Sequence, residues 1–258
     1  MKKDFDGFSF SLDGYVAHIE ISSGPYNYIS TPQARQMADL LLELDSNDQC
    51  RVIVLSAKGR VFCAGYDFNE QSDEVVASGD PGTFYAEALR LFDSKKPIVA
   101  ALQGAAVGAG VGLALVADFR VTCKEARFSV NFNRLGFHPG FGLSVTLPRL
   151  VGVQQASLLF YTGRRIDGEE AHRIGLADVL ADEADVLKQA FALAEEIAVS
   201  APLAVESTRS TLREGLADEI RKVNQRELDL QRIQLKTADF QEGVAAMAER
   251  RLPVFQKR

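Results

Sequence analysis

The sequence predicts an α/β fold in which a largely parallel sheet is followed by a helical C-terminal module. Three observations predict it. Short, wholly apolar, β-branched runs recur at Arg51–Ser56 (RVIVLS) and Pro97–Leu102 (PIVAAL), the pattern of strands buried on both faces. A glycine-rich stretch leading into a helical pattern separates the second run from a third, Asp118–Thr122 (DFRVT). Strand, helix, strand at that spacing implies parallel pairing with right-handed crossovers. From about Ala201 the chain turns helical and highly charged, as in Asp218–Arg232 and Thr237–Arg250. That shift divides a core over 1–200 from a helical module over 201–258.

The elements follow in order. Phe8, Phe10 and Leu12 alternate before Asp13-Gly14, and Val16, Ile19 and Ile21 follow it, which signals a hairpin. Thr31-Pro32 opens a helix, with Thr31 read as the cap and Pro32 in the first turn; Met37, Leu40, Leu41 and Leu44 form its apolar stripe. Arg127–Ser129 and Asp178–Leu180 read as short extended pieces among helices. The polar stretch Ser72–Pro81 (SDEVVASGDP) reads as a surface loop placed where a lid would sit.

Composition narrows the function classes. The 258 residues carry a formal charge of −6, so no basic excess exists to displace counterions from nucleic-acid phosphates. Cys50, Cys63 and Cys123 are too few and scattered for a disulfide framework. No apolar run approaches the roughly 18 residues of a membrane span, and the N-terminus lacks a signal-peptide pattern. The expectation is a cytoplasmic protein with neither nucleic acid nor membrane as partner.

Two segments carry the chemistry. Val61–Phe68 (VFCAGYDF) follows a strand, and so does Gln103–Gly112 (QGAAVGAGVG), which leads into a helix. Strand ends built of small residues leave backbone N–H groups approachable. The first turn of a helix adds donors without intrahelical partners and a dipole that favours negative charge. Side by side, two such segments would converge on one oxygen as a backbone oxyanion hole. A dinucleotide-binding loop fits poorly, because Gly108, Gly110 and Gly112 alternate and no acidic residue ends the next strand. A P-loop fails for want of Gly-Lys-Ser/Thr.

These segments resemble a known family. FCAGYDFNE resembles the F-x-A-G-x-D-x-x-E segment of the crotonase (enoyl-CoA hydratase/isomerase) superfamily. PIVAALQGAAVGAGVGLALVADFRV resembles that family's second signature, ARFSVNFNRLGFHPGFGLSVTLPRLVG its third, and TGRRIDGEEAHRIGLADVL its fourth. DFQEGVAAMAERRLPVF resembles the closing helix, so the likeness covers nearly the whole chain. It implies a crotonase-like spiral of ββα turns with a helical C-terminal trimerisation module, assembled as a homo-trimer or as a hexamer made of two trimers. It implies a CoA thioester as substrate and no cofactor. By motif position the oxyanion donors would be the N–H groups of Ala64 and Ala109. Gly65, Tyr66, Asp67, Phe68, Gly108, Gly110, Gly112, Phe132 and Gly140 would line the substrate. On the closing helix the family places an aromatic and a cation near the neighbouring subunit's CoA; Met247 and Arg250 stand there, so only the cation is kept.

The pattern also departs from the family. Its hydratases use two glutamates, whose positions here hold Gly112 and Phe132, and a related isomerase group uses a carboxylate where Gly140 stands. Hydration needs an acid/base pair, each member worth about 10²–10⁴ in rate. Replacement candidates are His138, Tyr85, Glu87 and Asp67. The remaining alternatives are a malonyl-type decarboxylation or retro-Claisen cleavage, which need little acid/base help, and a non-catalytic acyl-CoA-binding subunit.

Overall fold

A computed structural model describes residues 2–66 and 80–258. The chain opens with β1 (Lys2–Phe5), β2 (Phe8–Asp13) and β3 (Val16–Ile21), an antiparallel series. Asp13 pairs with Val16, so Gly14-Tyr15 is a two-residue hairpin loop, with Gly14 at φ +53°. The alternation read from sequence survives as burial, with Phe8, Phe10, Ile19 and Ile21 all in the core. Helix α1 (Thr31–Asp45) follows, and its cap lies one residue earlier than expected. Ser30 accepts from the Gln33 N–H while Gln33 Oε1 accepts from the Ser30 N–H, a reciprocal capping box that places Thr31 inside the helix.

From β4 onward the chain runs as a spiral. Strands β4 (Val52–Ala57), β6 (Ile98–Leu102) and β8 (Phe119–Cys123) extend the first sheet in parallel, and β11 (Val179–Ala181) closes its far edge. The complete order is β1-β2-β3-β4-β6-β8-β11. Each of β4, β6 and β8 is followed by a three-residue strand in a second, smaller sheet: β5 (Val61–Cys63), β7 (Ala105–Val107) and β9 (Arg127–Ser129). These three pair in parallel, and β10 (Arg165–Asp167) joins β9 antiparallel. Strand of the large sheet, strand of the small sheet, helix: this is the ββα repeat that the resemblance implied. The strands β5 and β7 were not separable in sequence from the loops they begin.

The intervening helices are α2 (Gly82–Ala88), α3 (Ala109–Ala114), α4 (Leu143–Thr162), α5 (Gly168–Arg173) and α6 (Val186–Ala198). The C-terminal part is helical as far as Ala248, with α7 (Pro202–Leu212), α8 (Leu216–Gln234) and α9 (Ala238–Ala248). Its charges do more than face solvent. Lys96, nearly buried under the sheet, pairs with Glu206 at 2.6 Å. Asp118 accepts from the Ile98 N–H at 2.8 Å and pairs with Arg209 and Arg213 at 2.9 and 2.8 Å, tying α7 to the start of β8. Glu227 of α8, 1% exposed, accepts from the N–H groups of Gly142 and Ser144 at 2.9 and 3.0 Å. A carboxylate there satisfies orphan donors at the N-terminus of α4 and complements its dipole.

All three cysteines are buried and unpaired, and burial pushes the Cys63 thiol up to about 12. Among the described residues no helix is long and apolar enough to cross a membrane. The Asp118 hub yields a stability prediction. Asp118→Ala strands two largely buried guanidinium groups, so chemical denaturation should show a loss of about 3–5 kcal/mol. A loss under 1 kcal/mol, the range of an exposed ion pair, would contradict that description.

Candidate active site

The small sheet brings the two glycine-bearing segments together. Strand β5 runs on into Ala64-Gly65-Tyr66, and its neighbour β7 runs on into Gly108-Ala109-Gly110. Contact is possible because side chains are missing. A Cβ on Gly110 would lie 2.1 Å from the Cys63 carbonyl oxygen, and one on Gly65 2.9 Å from the Val107 oxygen and 3.7 Å from the Ala109 nitrogen. No side chain fits such gaps. Gly65 also holds φ +104°, a conformation that costs a residue with a Cβ heavily.

Helix α3 begins at this contact. The Val111 and Gly112 N–H groups turn back to the Gly108 carbonyl at 3.0 and 3.3 Å. Ala109, the first helical residue, keeps its N–H outside the intrahelical ladder. Its expected role as a donor is compatible with this geometry.

Ala64 requires correction. Its N–H donates to the Tyr26 carbonyl at 3.0 Å and is consumed by the fold, because the Tyr26–Ile29 segment runs along the open edge of β5. The same segment orients the next peptides. The Gly65 carbonyl accepts from the Ile29 N–H at 2.9 Å. In a planar trans peptide the following N–H points the opposite way. The Tyr66 N–H is therefore directed away from Ile29, toward the edge where β7 and Ala109 lie.

These backbone groups border a cavity of about 400 Å³. Ala64, Gly65, Tyr66, Gly108 and Ala109 form one side, and Phe84, Phe132, Leu135 and Phe137 an apolar wall. Val244 and Met247 of α9 close it from above, so the closing helix covers its own chain's cavity. Arg250 lies past the end of α9, with φ +57°, and is not part of the wall. A second basin, of about 370 Å³, adjoins the cavity at Asn131 and Met247 and is lined by Arg134, Arg164, Arg165 and Arg251. Arg251 is paired with Glu242 and Glu249. Among the described residues the other three form no ion pair, which leaves their charge available to an anion.

The vacated carboxylate positions are filled rather than open. A Cβ on Gly112 would lie 2.6 Å from the Phe141 ring, and one on Gly140 2.0 Å from Tyr85 Oη. Phe132 packs edge-on against Phe137, ring centroids 5.4 Å apart. Aromatic groups thus occupy the space of all three acids, and among the described residues no carboxylate lines the cavity.

Of the replacement candidates among the described residues, only Tyr85 lines the cavity. Its phenol is buried, which pushes its pKa upward against the opposing Gln231 hydrogen bond; it is therefore a neutral O–H donor at physiological pH. Glu87 points elsewhere, paired with Arg35 at 2.9 Å and Arg90 at 2.6 Å. Burial works to raise its carboxyl, but the two arginines outweigh that and hold it below its ordinary value. The His138 ring contacts its neighbour's carbonyl, Nδ1 to Pro139 O at 2.7 Å, and forms no part of the cavity wall. Asp67, Phe68 and 72–79 of the expected lid lie outside the described residues.

Several cavity residues escaped sequence reading, and Gln231 is among them. Gln231 of α8 is fully buried and lines the cavity. The available signal was spacing: Asn224, Glu227, Leu228 and Gln231 share one helical face, so the stripe that packs inward is largely polar. Among the described residues no group of three His, Cys, Asp or Glu side chains is disposed to hold a metal.

Comparison with known proteins agrees with the geometry. The sequence model of the family described as enoyl-CoA hydratase/isomerase matches residues 13–258. The chain is 30% identical over 260 residues to a carnitinyl-CoA dehydratase of Citrobacter koseri, covering 98% of this chain and 99% of that one. It is 30% identical over 226 residues to a 1,2-epoxyphenylacetyl-CoA isomerase of Escherichia coli, covering 85% and 86%. Among solved structures, an enoyl-CoA hydratase/isomerase from Pseudoalteromonas atlantica superposes with a TM-score of 0.87 at 30% identity, over 97% of this chain and all of that one.

The filled acid positions can be tested directly. Gly140→Ala forces Tyr85 Oη to move, and Gly112→Glu drives a carboxylate into the Phe141 ring. Each overpacked variant should lose about 1–3 kcal/mol in thermal or urea unfolding, and unchanged unfolding midpoints would show that these spaces are not occupied as described.

Proposed function

We propose, on the premise that this chain belongs to the enoyl-CoA hydratase/isomerase family, that it is an acyl-CoA lyase or isomerase working through a thioester enolate without a glutamate pair. The observation that carries the reading is the contact of Gly65 with Val107 and Ala109. It supports taking the N–H groups of Ala109 and Tyr66 as the two donors to the thioester oxygen, with Tyr66 replacing the expected Ala64. As negative charge moves onto that oxygen, donors already in place stabilise it without reorganising, each worth about 2.7–4 kcal/mol. The arginine-lined basin beside the cavity suits the phosphates of the CoA portion.

The enolate then needs a proton at Cα, and Tyr85 is the side chain placed to give it. Since no described carboxylate lines the cavity, the chemistry that fits best makes the enolate by breaking a C–C bond. In a malonyl-type thioester the bond from Cα to the carboxylate breaks, its electron pair moves into the enolate, and neutral CO2 leaves. The Tyr85 proton then passes to Cα and is replaced from solvent. An apolar wall favours this step, because it burdens the substrate carboxylate more than the departing CO2.

Assembly as a homo-trimer belongs to the same proposal. Val199, just past α6, and Leu203 and Leu212 of α7, each more than 70% exposed, give an apolar surface suited to a second copy, and a monomeric mass in sedimentation would count against it.

The reaction is tested with a panel of malonyl-, β-keto- and enoyl-CoA thioesters. At least one, with a malonyl-type thioester foremost, is expected to turn over, and Ala109→Pro, which deletes one donor at a helix position that tolerates proline, should cost about 10²–10³ in kcat. Binding without turnover of any thioester would leave a binding subunit. No binding at all would end the acyl-CoA reading.

A further inference from the structure

We infer that Gln231, contributed by the C-terminal helix α8, is a positioning residue that turns the Tyr85 hydroxyl into an obligate hydrogen-bond acceptor toward the protein and so points its proton into the cavity. The inference rests on the reading of Tyr85 as the proton donor.

The orientation of the Gln231 amide is set by its neighbours. Its Nε2 lies 2.7 Å from the His138 carbonyl oxygen, which only accepts, so the amide atom there must be nitrogen. The same side chain acts on the Tyr85 phenol, lowering its pKa against the larger upward push of burial. Tyr85 Oη and Gln231 Nε2 come within 2.0 and 2.7 Å of the point where a Gly140 Cβ would stand, so all three groups share one small space. With one Nε2 hydrogen on His138 O, the second is the donor that Gln231 has left for its neighbour Tyr85 Oη, whose oxygen would then receive rather than give.

The cost of this arrangement is visible. Gln231 is fully buried, yet its Oε1 has no hydrogen-bond partner among the described residues. Reversing the amide would give Oε1 to the Tyr85 proton but would set two acceptors against each other at His138. Buried polar groups are rarely left unpaired, and this one is kept unpaired by a carbonyl that fixes the nitrogen. The consequence falls on Tyr85. Its proton meets no acceptor among the described residues and is left for a ligand in the cavity that both side chains line. Gly140 completes the device, since any larger residue there would displace both partners.

Spectroscopy and kinetics together test this. In protein labelled with [¹³Cζ]tyrosine, the Tyr85 resonance is the one lost in Tyr85→Phe, and Gln231→Leu is expected to shift it even without substrate. On whichever thioester turns over, Gln231→Leu should lower kcat about tenfold to hundredfold with KM changed by no more than about twofold. In the Tyr85→Phe background it should lower kcat no further. If Tyr85→Phe itself leaves kcat unchanged, the proton-donor reading fails. If Tyr85→Phe lowers kcat but Gln231→Leu leaves the resonance in place, or the two losses multiply in the double variant, Gln231 does not position Tyr85. A resonance unmoved by Gln231→Leu overturns the inference whether or not a substrate is found.

Discussion

The site depends on one steric constraint: the second strands of two successive ββα turns must approach until the backbone of one touches the backbone of the other. At Gly110 the approach to Cys63 is so close that any Cβ would overlap the carbonyl. Because β4 and β6 are fixed as neighbours in the large sheet, their continuations β5 and β7 are neighbours in the small one. The repeat of the fold therefore delivers two strand ends to one place, and the missing side chains let those ends meet. The close approach on which the proposed oxyanion hole rests follows from topology and glycine placement before any functional side chain is considered.

The second feature is what surrounds that hole. Three positions where relatives would carry an acid hold a glycine pressed by Phe141, a glycine pressed by Tyr85, and Phe132 itself. These substitutions are mutually consistent. Removing one acid without filling its space would leave a void or a stranded water, whereas here aromatic groups fill each space. The result is a largely apolar wall beside the backbone of Tyr66 and Ala109. Under the proposed function, such a site would stabilise charge appearing on one oxygen and pass a proton through the Tyr85 phenol. The helical module is part of the same structure, because Glu227 caps the helix beyond Gly142 and Gln231 meets Tyr85.

Much of this was legible in the residues, and the misreadings have physical causes. Apolar runs, hairpin chemistry and glycine spacing reported the sheets and the two loop segments, since each depends on local pattern. The helix cap was displaced by one residue because Ser30 and Thr31 are equivalent caps until Gln33 completes the box around Ser30. Ala64 was assigned by motif position, but which N–H a loop spends on its own neighbours depends on the Tyr26–Ile29 segment packing beside it, a tertiary fact. Glu87 and His138 were plausible by their positions in the chain, yet two arginines claim the first and the turn at Pro139 holds the second aside. Gln231 was hidden in a charged helix whose buried stripe is polar; only the packing of α8 against Gly140 reveals it.

The central claim is that Ala109 and Tyr66 polarise a thioester carbonyl, and vibrational spectroscopy reads that polarisation directly. Isotope-edited infrared difference spectra of a non-reactive acyl-CoA carrying ¹³C at the thioester carbonyl would compare the free and bound ligand. Two backbone donors aimed at the oxygen predict a band moved to lower frequency on binding, with a smaller displacement in Ala109→Pro. A carbonyl band that stays at its solution frequency while the ligand is fully bound would contradict the account.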